Sequence, residues 1–121
     1  MAEVNLARFN KLKTGFKKYE TEYLEINQKI EENDYEDSVQ EENLIGKRQD
    51  LLIELKRIKS NLMGMLEFVE LKMPKKIAEY QTMLKNIDNS LPKRIEKHNN
   101  RVDELNKGTK NGNGFDEWKV R

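Results

Sequence analysis

The chain has 121 residues, 36% apolar and 37% charged, with a formal net charge of +1 and no cysteine. That length suits one domain or one elongated helical module, and the near-equal shares of apolar and charged residues favour narrow apolar stripes between wide solvated faces over a thick globular core. The absence of thiols excludes disulfides, thiolate catalysis and Cys-ligated zinc, and the balanced charge argues against a dedicated nucleic-acid binder.

The longest mainly apolar stretch, Leu62 to Val69, falls far short of the roughly 20 residues that span a bilayer, and the N-terminal residues lack the apolar core of a signal peptide. The expectation is a soluble, cytoplasmic protein with no membrane contact.

In the first segment Phe9, Leu12, Phe16, Tyr19, Tyr23, Ile26 and Ile30 follow one another at alternating spacings of three and four. That is the rhythm of heptad a and d positions. It predicts a helix over residues 3–32, roughly 45 Å long at 1.5 Å per residue, stopped by the turn signal Asn33-Asp34.

A second helix is predicted over 38–72. Ser38 and Glu41 have the spacing of a capping box, in which the hydroxyl meets an amide of the first turn and the carboxylate reaches back. Leu44, Leu51, Leu55, Ile58, Leu62, Met65 and Val69 continue the rhythm, with Arg48 interrupting one core position. A connection of only five residues, 33–37, makes the first two helices antiparallel.

The third stretch, 74–107, carries Ile77, Tyr80, Leu84, Ile87, Leu91, Ile95, His98, Val102 and Leu105 in the same rhythm, with Pro74 and Pro92 inside it. Each proline coincides with an extra four-residue step, a stutter that unwinds a supercoil locally. Pro74 reads as a sharp kink or corner and Pro92 as a second bend, with Ser90 placed to cap a restart. Whether helices two and three are separate or form one kinked helix stays open at this point. Charge favours a fold-back: residues 20–45 hold ten acids and one base, and an antiparallel third helix brings Lys93, Arg94, Lys97 and Arg101 beside Glu31, Glu32, Asp34, Glu36, Asp37, Glu41 and Glu42. The fold class is therefore all-α, an elongated antiparallel helical hairpin or three-helix bundle with coiled-coil-like heptad seams over 1–107. Residues 108–121 form a Gly/Asn-rich flexible linker and C-terminal tail.

Three features are candidates for function. Phe115, Trp118 and Val120 stand at the end of the linker, the first two an aromatic pair suited to anchoring a short peptide on a neighbouring protein; the alternative is a disordered or self-packed terminus. Leu62 to Met73 is apolar on nearly all sides, so a third helix or a partner must cover Met63, Leu66 and Phe68. Methionines there conform to irregular surfaces and Gly64 permits close approach. The basic residues Arg8, Lys11, Lys13, Lys17 and Lys18, with Lys75, Lys76, Lys93, Arg94 and Lys97, offer phosphate contacts but read first as solvated faces, since acids are interleaved.

Catalysis finds no support. The single histidine, His98, sits on the apolar stripe with no second histidine or thiol to complete a site, and there is no phosphate loop, metalloprotease motif or nucleophile elbow. Neither a cofactor nor a metal is implied. The leading expectation is a non-enzymatic structural or adaptor protein whose helical faces and tail hold other protein subunits, with self-association through the seams as one form of that. A virion or phage assembly component is one concrete setting. The rival from another class is a nucleic-acid-associated helical regulator acting through its basic faces, and a third is a peripheral membrane module.

Overall fold

A computed structural model describes residues 2–107 and 116–120, with side chains from residue 6 onward. Among the described residues there are four α-helices and no strand: α1 (Ala2–Glu31), α2 (Ser38–Gly64), α3 (Leu66–Lys72) and α4 (Ile77–Lys107), with single 3-10 turns at Pro74–Lys76 and Asp116–Trp118. The chain is all-α in these regions.

Helix α1 ends where an asparagine can turn left-handed. Asn33 has φ 54°; its N–H donates to the Ile30 carbonyl at 3.2 Å, and the Asp34 N–H donates to the Lys29 carbonyl at 2.8 Å. This pair of bonds is the Schellman stop, which satisfies carbonyls that the last helical turn leaves bare.

Helix α2 starts one residue earlier than the Ser38 capping box implies. Asp37 is the cap, in extended conformation, and its carboxylate accepts the Gln40 N–H at 2.9 Å, while the Gln40 side chain accepts the Glu36 N–H at 2.9 Å. The sequence offers two overlapping boxes, Asp37-x-x-Gln40 and Ser38-x-x-Glu41. The aspartate prevails because a full negative charge at a helix N-terminus interacts better with the backbone dipoles than a hydroxyl.

The predicted helix 38–72 is split. The helix is interrupted at Met65, at φ −96° and ψ −4°, whose N–H bonds three residues back to the Leu62 carbonyl at 3.0 Å. The same carbonyl accepts the Tyr80 hydroxyl. Met73, the residue before Pro74, sits at φ −134° and ψ 54°, since the proline ring crowds a helical predecessor. Pro74 then occupies the first position of a new turn, where its missing N–H is no loss. Helices two and three are therefore separate, and Pro74 marks a corner.

Pro92 behaves differently. α4 passes through it unbroken, and Ser90 caps nothing: its hydroxyl donates back to the Asn86 carbonyl at 2.8 Å, a mid-helix contact.

Paired residues give the directions. Between α1 and α2, Gly15 lies beside Ile58 and Asn27 meets Arg48, so the two run antiparallel. Between α2 and α4, Tyr80 meets Leu62, Asp88 meets Lys59, His98 meets Arg48 and Arg101 meets Glu41, again antiparallel. Between α1 and α4, Lys13 pairs with Glu79, Glu20 with Arg94 and Glu31 with Lys97, so those two run parallel.

The apolar stripes face inward. Phe9, Tyr23 and Ile30 of α1, Leu51, Leu55, Ile58 and Leu62 of α2, and Tyr80, Ile87, Leu91 and Val102 of α4 are buried, while Leu12, Phe16, Tyr19, Ile26, Ile77, Leu84 and Ile95 pack against them half-buried. Ile45 and Leu52, outside the heptad rhythm, are also fully buried. A helix that touches α1 on one side and α4 on the other needs two apolar faces, and a single stripe describes only one of them.

Candidate functional site

The unusual chemistry lies where Arg48 and His98, standing in the apolar stripes of α2 and α4, meet Asn27 from the last turns of α1. Arg48 is 3% exposed and His98 is fully buried. Arg48 Nε donates to His98 Nδ1 at 2.9 Å, and Arg48 Nη1 donates to Asn27 Oδ1 at 3.1 Å. The Tyr23 hydroxyl, one turn before Asn27, lies 3.4 Å from the same oxygen. Because a guanidinium can only donate, Nδ1 of His98 is the acceptor and the ring proton sits on Nε2. That N–H donates to the backbone carbonyl of Trp118 at 2.6 Å.

The tail is held by a series of contacts to its backbone. Asn99 clamps Val120 from both sides, its amide donating to the Val120 carbonyl and its carbonyl accepting the Val120 N–H, each at 2.8 Å. Gln49 donates to the Glu117 carbonyl at 2.6 Å. Asn106 donates to Asp116 at 2.7 Å, and Lys119 pairs with Asp103 at 2.6 Å. Val120 is 3% exposed within the main core, and Trp118 packs half-buried against Ile30, Ile45 and Val102.

The sequence reading sends this tail to a neighbour. In the structure its described part folds back on α4 and α2 of its own chain, the self-packed alternative: Asn99 and His98 of α4 and Gln49 of α2 bond to its peptide groups, while Asn106 and Asp103 of α4 meet the side chains of Asp116 and Lys119. Phe115 and the linker 108–114 lie outside the described residues.

The second predicted site divides. Phe68 is half-buried against the core, but Met63 and Leu66 stay 58% and 42% exposed, and Leu71, which the sequence reading did not single out, is 69% exposed. The elbow around α3 therefore carries uncovered apolar side chains. Gly64 makes no close approach: a Cβ built there meets nothing within 4 Å.

Four of the ten singled-out basic residues, Lys13, Lys76, Arg94 and Lys97, pair with acids. Lys13 and Lys76 pair with Glu79, Lys97 lies 3.7 Å from Glu31, and Arg101 meets both Glu41 and Glu104. Arg94 departs from the predicted acidic tip: it forms a two-pronged pair with Glu20 at 2.5 and 2.6 Å and lies 4.4 Å from the centre of the Tyr23 ring. Exposed pairs of this kind contribute about 0 to 1 kcal/mol each, and a forked, half-buried arginine pair more.

Electrostatics follow from burial. Desolvation, with the Arg48 charge adding to it and the Trp118 carbonyl opposing it, lowers His98 from 6.5 to about 4, so the ring is neutral near pH 7. Desolvation also lowers Arg48, against the attraction of Tyr23 and Glu31. Beside this layer, the ends of α1 and α4 frame an open cleft of about 360 Å3, lined among others by Arg48, Lys97, Asn100 and Arg101.

No family model, curated protein or solved structure matches this chain. Arg48 and His98 had a signal in the sequence, as two polar residues on otherwise apolar stripes. Asn27, Gln49, Asn99 and Asn106 had none, because a polar residue on a polar face gives no sign that a strand will lie on it.

Proposed function

We propose that the chain is a three-helix bundle with coiled-coil-like seams that serves as a non-enzymatic structural or adaptor protein, holding other protein subunits against its outer helical faces. The pairing of α2 with both α1 and α4 supports the bundle, since the main stripes are then consumed within one chain. The observation that carries the adaptor reading is the elbow, where Met63, Leu66 and Leu71 stay exposed around buried Leu62, Met65, Val69 and Met73. Large apolar side chains grouped on an outer surface are the usual material of a protein contact.

On this reading the tail acts as a clasp that fixes α2 to α4 and keeps the building block rigid, leaving the elbow as the binding end. A place in the cytoplasm, or in a viral particle as a minor structural component, suits such a block.

Photocrosslinking residues placed at 63, 66 and 71, one at a time in the native cell, provide the test. Trapping of one defined protein at these positions, with none at the exposed α4 positions 85 and 89, is the expected result. Equal trapping at both sets of positions, or none at the elbow, would sink the reading.

A further inference from the structure

We propose that the cleft between the end of α1 and the second half of α4 binds a small oxyanion of the phosphate type, with Arg48 at its floor and Lys97 and Arg101 at its rim.

The charge of Arg48 is unbalanced. Arg48 is buried, and its two bonded nitrogens meet neutral acceptors, His98 Nδ1 and Asn27 Oδ1. Its third nitrogen, Nη2, is buried without an acceptor. Burial of a guanidinium is costly unless an anion compensates it and its N–H groups are all used. Among the described residues no carboxylate bonds to it, Glu31 acting on it only through its charge, and one NH2 group is left over.

The cleft lined by this residue collects matching chemistry. Lys97, Arg101 and the amide of Asn100 share the lining with Arg48. A planar guanidinium with free N–H groups fits a tetrahedral oxyanion, and ammonium or amide donors complete such a cradle.

Glu31 and Glu104 also line the cleft, and they work in favour of a small ligand. Both are more than half exposed and already paired, Glu31 with Lys97 at 3.7 Å and Glu104 with Arg101 at 2.9 Å. Exposed pairs open readily, so an entering ion can borrow Lys97, whereas Nη2 of Arg48 has no acceptor among the described residues. An acidic rim repels extended polyanions and leaves a single small ion as the ligand that reaches the floor.

The site has a built-in reporter. Arg48 holds His98, and His98 holds the carbonyl of Trp118, the only tryptophan in the chain. An ion that fixes Arg48 stiffens this relay and changes the surroundings of the indole.

The experiment is a titration of the full chain with sodium phosphate at constant ionic strength, balanced with chloride, following tryptophan emission and the thermal midpoint. A saturable one-site change in emission, with a rise in the midpoint, is expected. Arg48→Met, which fills the same space without charge, should weaken the apparent affinity by about tenfold or more, the loss of one charge-assisted hydrogen bond to the ligand. Lys97→Ala, an exposed change that spares the core, should weaken it several-fold. A phosphate response no larger than that of chloride would overturn the proposal, as would undiminished affinity in Lys97→Ala or in a folded Arg48→Met. Saturation by acetate without any response to phosphate would overturn the ligand class.

Discussion

Arg48 and His98 satisfy one another in a single protonation state. A proton added to His98 Nδ1 would face the Arg48 N–H, donor against donor and cation against cation. The folded value of about 4 lies below the ordinary 6.5, so the unfolded chain takes up the proton first. The contribution to stability is complete above about pH 6.5 and is lost as the pH falls toward 4. Integrated over that window, folding should weaken by about 2 kcal/mol between pH 7 and pH 5. Urea denaturation at stepped pH measures this directly, and because the chain has one histidine the slope can be assigned to it. His98→Gln, which keeps an acceptor and a donor but no titration, should flatten the profile. A second prediction concerns Tyr80, which is 1% exposed and whose hydroxyl donates to the Leu62 carbonyl at the α2 terminus. Tyr80→Phe leaves that carbonyl only its Met65 bond and should cost about 1 kcal/mol in chemical denaturation.

At the scale of the elements, the stops and starts of the helices follow local chemistry. Asn33 and Pro74 act where the sequence points to them, and the three-four rhythm marks the inward face of each long helix. Other features escape the sequence for physical reasons. The cap at Asp37 competes with a motif of the same spacing one residue on. The break at Met65 depends on Tyr80, 15 positions away, and the second buried face of α2 exists only because two helices pack on it. Gly64 and Pro92 give a matched pair of predictions. With nothing near a Cβ at Gly64, Gly64→Ala should stabilise by up to about 1 kcal/mol through helix propensity. Pro92 is exposed within a continuous helix, and Pro92→Ala restores the N–H that the Asp88 carbonyl lacks. It should stabilise by about 1 to 3 kcal/mol, reduced by the extra freedom of the unfolded chain. Thermal unfolding of both variants checks the two together, and a loss of stability in Pro92→Ala would mean that the proline ring makes contacts of its own.

For the whole molecule, the proposed bundle closes its stripes within one chain, so the mass in solution should stay that of a monomer, 14.4 kDa, across a wide concentration range in light scattering behind a sizing column. A concentration-dependent dimer would mean that copies pair through the stripes or the elbow. The clasp has a measurable share in this state: Trp118→Ala removes a half-buried aromatic from Ile30, Ile45 and Val102, and about 1 to 3 kcal/mol should go with it, less than for a fully buried aromatic. The tail's docking was the least legible part of the sequence, since Gln49, His98 and Asn99 bond to its backbone, which any residues there would present, and Gln49 and Asn99 are polar residues with no other mark. Three rods striped with leucine and isoleucine can slide past one another by a turn and still find apolar company. Asn27, Arg48 and His98 meet at one height only, and a one-turn slip would strand a cation among aliphatic side chains. Replacing all three with leucine should therefore yield a protein that melts later yet shows several sets of backbone NMR signals, its helices no longer agreeing on a single alignment.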